Sequence, residues 1–237
     1  MPDTPRHWTR YFVRRVERWT TTWTLRLTVL VLACVVLWLF APRIERTIGA
    51  SLVCTPDAAP SDAIIIENFD PDYLLFERAR ILRSQGVAPR VLVPIRRDER
   101  DGGLNRVAQG IAEVMGQIAR LGEMEFIPIR EVEPISLNAA RDVRAYLEAN
   151  GIRSVTVVTP LFRSRRSTVV YRATLEPAGV VVRCEPVANQ VSVETWTRTW
   201  HGMQNVTEQW LKLQYYRVRV LPFLTDGGKI VVAGRSR

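Results

Sequence analysis

The sequence predicts a three-layer α/β domain of about five mostly parallel strands, preceded by one transmembrane helix. Three observations carry this reading. Short apolar runs alternate with segments of helical period, one long uncharged stretch lies near the N-terminus, and 47% hydrophobic with 24% charged residues suits a packed core. Of the 237 residues, roughly 175 remain beyond the membrane segment and tail, enough for one domain and too few for two large ones.

No charge occurs between Leu27 and Ala41, and Trp23, Thr24, Leu25 and a snorkelling Arg26 extend the stretch to about 19 residues, the length that crosses a hydrocarbon core. Trp19, Trp23 and Trp38 stand where interfacial aromatics belong. The expected organisation is a basic cytosolic tail over 1–22, the span over 23–41, a stalk over 42–60, the α/β domain over 61–221 and a C-terminal tail over 222–237. Residues 1–46 hold eight Arg against Asp3, Glu17 and Glu45, so five of the nine net positive charges sit in this short segment and four in all the rest. That distribution speaks for membrane topology, not for a nucleic-acid partner. By the positive-inside rule the N-terminus is cytosolic and the domain extracytoplasmic, periplasmic or exterior. A cleaved signal peptide is the rival, but the basic segment is long and no small-x-small site follows Phe40, which favours an uncleaved signal anchor.

The sequence restricts the chemistry. His7 falls in the tail and Cys34 in the span, leaving His201, Cys54 and Cys184 to the domain. No spacing resembles a metal site, and no cofactor is implied. In an oxidising compartment Cys54 and Cys184 are able to pair; the alternative is two separately buried thiols.

The elements follow in order. Asp62 to Ile66 reads as a buried parallel strand, and Pro71 to Gln85 as a helix on Leu74, Leu75, Ala79 and Leu82, stopped by Gly86. Arg90 to Pro94 is a second strand. Leu104, Val107, Ala108, Ile111, Met115, Ile118 and Leu121 trace a second helix ending at Gly122. Glu125 to Ile129 is a third strand, and Ser136 is the expected N-cap of a helix closed by Asn150-Gly151. Ser154 to Thr159 is the strongest strand, with a helix from Ser164 to Glu176, a strand from Val180 to Glu185 and a final helix from Met203 to Val220.

Ligands of such sheets sit at the carboxyl ends of the strands. The loop after strand one offers Glu67 and Asn68. The loop after strand four, Thr159-Pro160-Leu161-Phe162-Arg163-Ser164-Arg165-Arg166-Ser167, gathers arginines and hydroxyls at a helix N-terminus, where free N–H groups and the helix dipole favour an anion. The expected anion site is Arg163, Arg165 and Arg166 with Ser164, Ser167, Thr159 and Phe162, completed by Asn68 and Arg78. Glu67 is a weak candidate acid–base residue. A solvated, Arg-rich turn capped by Ser164 is the plainer reading of the same residues.

The order of elements resembles the YdcF/ElyC/SanA-like family of bacterial envelope proteins over roughly residues 61–218. The resemblance lies in Ser61-Asp62-Ala63-Ile64-Ile65-Ile66, Arg78, Gly86-Val87-Ala88-Pro89-Arg90, the run Gly151 to Thr159, Phe162 with Arg166, and the stretch Glu208 to Tyr216. The chain is a divergent member on this reading. Glu67-Asn68 and Pro94-Ile95-Arg96 stand where the family has glycines, Ser136-Leu137-Asn138-Ala139 replaces its Thr-x-Glu-Asn helix start, and Arg163 replaces the His of its turn. The resemblance implies a Rossmann-like domain with a role in cell-wall integrity, peptidoglycan or lipid-carrier metabolism. The expectation is a membrane-anchored protein binding a phosphate-bearing lipid or sugar intermediate. The alternatives are a non-catalytic interaction protein, or a hydrolase or transferase acting on a phosphorylated lipid or sugar.

Overall fold

The computed structural model describes residues 22–57, 59–69, 71–98, 102–189 and 191–224. The expected basic tail, apart from its last residue, and most of the C-terminal tail lie outside them. The chain divides into two compact units, Met1–Arg43 and Ile44–Arg237.

The first helix, α1, runs Trp23–Ser51, ten residues past the expected end of the span. Its apolar part is long enough to cross a bilayer and none of it is buried. Twenty-nine residues rise about 44 Å against a hydrocarbon core of about 30 Å, so the helix exceeds what a membrane needs. Pro42 lies within it and does not end it. The expected stalk is therefore corrected: Ile44–Ser51 is helical and packs on the domain. Gly49 is buried against Trp196 and Val193, the Trp196 indole donates to the Glu45 carbonyl at 3.1 Å, and Thr197 donates to the Glu45 carboxyl group at 2.9 Å. Leu52 then joins Phe162, Trp196, Val206 and Leu213 in a small apolar cluster.

The domain alternates strand and helix: β1 Ala63–Ile66, α2 Tyr73–Ser84, β2 Arg90–Arg96, α3 Arg106–Ala119, β3 Glu125–Ile129, α4 Ile135–Ala149, β4 Ser154–Pro160, α5 Ser164–Leu175, β5 Val181–Val187 and α6 Trp200–Tyr215. All five strands are parallel in the order β3-β2-β1-β4-β5. Both faces of the sheet are covered, and the period of two divides each strand between two cores. Ala63 and Ile65 of β1, with Val155 and Val157 of β4, pack with α4 and α5 residues such as Leu137, Val143 and Val170. Ile64 and Ile66 face the other way, onto Leu75, Phe76 and Ala79 of α2 and Ala112 of α3.

Local chemistry sets the helix ends. The Asp72 side chain accepts from the Leu74 N–H to start α2, and Asn105 accepts from Val107 and Ala108 to start α3. Gly86 turns the chain after α2 at φ 76°, which a residue without Cβ adopts freely. Ser136 is not the N-cap expected of it: Pro134 holds that position without a side-chain bond, and the Ser136 hydroxyl is taken by Arg166. The last helix starts earlier than expected, at Trp200, where the Thr199 side chain accepts from Gly202; a π-helical turn, Tyr216–Val220, follows it. Cys54 and Cys184 form a disulfide that ties the segment after α1 to β5.

Candidate functional site

Strand order reverses between β1 and β4, so the connections leaving their carboxyl ends turn to opposite sides of the sheet, the place where such folds form a crevice. From β1 come Glu67, Asn68 and Phe69; from β4 come Thr159 and the 3₁₀ turn Leu161–Arg163 leading into α5. The sheet and the register place nearly all the predicted residues at this edge. Their side chains then take separate parts.

Glu67 is fully buried, 0% exposed. Its carboxyl oxygens accept from Ser167 at 2.6 and 2.8 Å and from Thr159 at 2.5 Å. With both oxygens engaged and no solvent contact, Glu67 ties β1, β4 and α5 together. The same bonds engage the Thr159 and Ser167 hydroxyls.

The N-terminus of α5 is covered by the chain itself. The Arg165 N–H donates to the Leu52 carbonyl at 2.9 Å. Ser164 donates to the Leu161 carbonyl at 2.6 Å and accepts from the Cys54 N–H at 2.9 Å. The Arg165 side chain is exposed, while Phe162 is buried in the cluster around Trp196. Donors that looked open for an anion in the sequence are thus partly consumed by the strap Leu52–Cys54. Arg78 is drawn away as well, held by Glu185 of β5 at 2.6 Å.

Arg166 points elsewhere. It is 6% exposed, donating from Nη1 to Ser136 at 2.5 Å and from Nη2 to Gln209 at 3.3 Å, with its guanidinium 5.5 Å from the Tyr216 ring centroid. Its Nε finds no hydrogen-bond partner. Burial lowers its pKa; the Glu67 carboxylate opposes that shift, and the Arg163 cation adds to it. Tyr216 is fixed in turn, its hydroxyl accepting from the Ser136 N–H at 3.1 Å and its ring meeting Tyr215 edge-on.

These groups line a cleft of about 400 Å³. Phe69, Ile135, Ser136, Tyr215 and Tyr216 form its walls, Arg163, Arg166 and Lys212 bring cations, and Glu131 and Glu133 bring carboxyl groups. Glu131 is ion-paired with Arg96 at 3.2 Å, and Lys212 with Glu208 at 2.5 Å. A larger cleft of about 720 Å³ opens beside it, lined by Tyr73, Asn189, His201, Asn205 and Gln209 among others; Arg163 borders both. The half-buried Asn68, whose Oδ1 has no hydrogen-bond partner, lines a third and smaller cleft with Phe69 and Glu131. Among the described residues no group of three His, Cys, Asp or Glu side chains is placed to hold a metal ion.

Sequence reasoning missed Ser136, Gln209, Lys212 and Tyr216 as parts of one site. The last three come from the final helix and the turn after it, over 40 residues from Arg166 in the chain, and no local motif links them. No family model matches the chain, and no curated protein matches it.

Proposed function

We propose that this is a membrane-anchored protein of the cell envelope whose extracytoplasmic Rossmann-like domain binds a phosphate-bearing intermediate in the cleft between α4, α5 and α6. One observation carries the reading. A buried guanidinium lines a cleft that also receives Arg163 and Lys212, and a buried cation in low dielectric attracts an anion far more strongly than a solvated one does. The aromatic walls suit the uncharged part of such a ligand, a sugar ring or the first carbons of a lipid. The resemblance to the YdcF/ElyC/SanA-like family supports a link to lipid-carrier or peptidoglycan metabolism.

Binding without turnover is the form of this reading that the geometry favours, because Glu67 is sealed and bonded on both oxygens. The strap over the α5 N-terminus also suits a non-catalytic interaction protein, which is the second reading.

Calorimetric titration of the detergent-solubilised full chain with inorganic phosphate and with a polyprenyl phosphate tests the proposal. The expected result is saturable binding that weakens about tenfold or more in Lys212→Gln and in Arg166→Gln, each removing one charge-assisted contact. Lys212 is half exposed, with 50% of its side chain accessible, so that variant keeps the fold. No binding by the wild type, or equal binding by both variants, overturns the proposal in favour of the interaction protein.

A further inference from the structure

The outward side of α6 is apolar and exposed, as is a stripe of Val107, Ile111, Val114 and Ile118 on α3, but only the α6 face carries tryptophans. Trp200, Met203, Thr207, Trp210, Leu211 and Gln214 follow at intervals of three, four and one, which places them on one helical face. No residue of that face carries a charge, yet Trp200 is 71%, Leu211 57% and Trp210 43% exposed. Val218, in the π-helical turn beyond, continues the apolar surface. Water is a poor partner for two indoles, a leucine and a methionine in a row, and such a patch marks a docking surface.

We propose that this face of α6 lies on the lipid surface of the membrane in which the chain is anchored. Three features choose lipid over another protein. Tryptophans at two points along the face are side chains of the headgroup region, with an apolar body and one N–H to satisfy. Exposed Arg198, Arg217 and Arg219 flank the face and match the charge of anionic headgroups. The start of α6 is also tethered to the chain leaving the span: the uncharged stretch ends at Ala41, and Glu45, four residues on, holds Trp196 and Thr197 just ahead of Trp200. A surface on a chain that carries its own anchor meets lipid at high effective concentration, so modest affinity is enough.

The inference rests on the uncleaved anchor and is independent of what the cleft binds. It is tested on the full chain in vesicles of phosphatidylcholine and phosphatidylglycerol, with Cys34→Ala and the disulfide intact. A nitroxide is attached through Leu211→Cys or Gln214→Cys, and through Ala145→Cys on α4 as a water-exposed reference. The expected result is a several-fold higher ratio of oxygen to nickel-chelate collisions at both α6 positions than at 145, an insertion of about 5–10 Å. Equal ratios at all three positions overturn the proposal by leaving the face in water. Dipolar broadening at 211 that disappears on dilution with unlabelled chain overturns it in favour of a second copy. Phosphate binding is titrated on the same labelled samples, so loss of ligand binding and loss of lipid contact are read separately.

Discussion

Glu67 and Arg166 are buried groups of opposite sign at the same sheet edge, and each is kept there by partners of a different kind. Two hydroxyls bond Glu67; a serine, a glutamine side chain and an aromatic face hold Arg166. Removing one buried charge leaves the other uncompensated and two hydroxyls without an acceptor, a loss of about 3 kcal/mol. Glu67→Ala is therefore expected to lower the thermal midpoint by several degrees, and Glu67→Gln by less because its amide oxygen still accepts. Equal midpoints for both variants and the wild type in a thermal scan would refute the structural role. Helical phase does not separate Arg165 from Arg166: Ser167, Tyr171 and Leu175 recur at intervals of four and centre the inner face of α5 near Tyr171, and the two arginines lie on either side, about equally far from it. Adjacency in sequence suggested a clamp of three; Arg166 alone is taken inside because Ser136, Gln209 and Tyr216 cover its side of the helix.

At the scale of the element, part of the segment read from the sequence as a stalk is a strap tied to the domain. Leu52 and Cys54 bond the first residues of α5, and the disulfide to Cys184 closes a separation of 130 residues. Cross-linking so distant a pair restricts the unfolded chain, and its loss is expected to cost about 2–5 kcal/mol. The Cys54→Ser, Cys184→Ser double variant checks this by thermal unfolding in detergent, and a midpoint like the wild type's would count against it. Gly49→Leu tests the other end of the strap. A Cβ there meets Trp196 Nε1 at 3.1 Å and Val193 at 3.3 Å, so the indole must move and the Glu45 bond is lost, for about 1–3 kcal/mol. At the start of the sheet, Asp62 ties β1 to β4 by accepting from the Arg153 and Ser154 N–H groups. The Arg153 bond does most to hold its pKa below the ordinary 3.8, burial opposing. A depressed folded pKa gives stability that is full above the unfolded value and lost as the pH falls through the folded one. The midpoint gap between wild type and Asp62→Asn is thus expected to shrink between about pH 5 and about pH 3, and a constant gap would contradict the tie.

For the whole molecule, the sheet was legible because burial of both faces writes each central strand as an apolar run such as Ala63–Ile66, and each covering helix as a stripe. The site was legible only to its edge: the switch point follows from strand alternation, but the contribution of α6 depends on tertiary packing that no local period records. The end of α1 was misjudged for a related reason. Pro42 and the charges after it resemble the end of a span, while the contact that keeps Ile44–Ser51 helical lies some 150 residues on, at Trp196. Two independent features bear on the proposed extracytoplasmic placement of the domain. The Arg surplus of the N-terminal segment favours a cytosolic N-terminus, and a Cys54–Cys184 disulfide survives only where thiols are not kept reduced. Both lead to the same expected outcome. In cells producing the full chain, external protease digests the domain without lysis. Without reductant, a membrane-permeant maleimide finds at most Cys34, and reduction exposes two further thiols. If three thiols react without reductant and the domain resists protease until lysis, the domain is cytosolic and the proposed envelope function fails with it. If the domain is external but those two thiols are already free, the topology stands and the strap's covalent tie does not, leaving the Leu52–Arg165 and Cys54–Ser164 bonds to hold it alone.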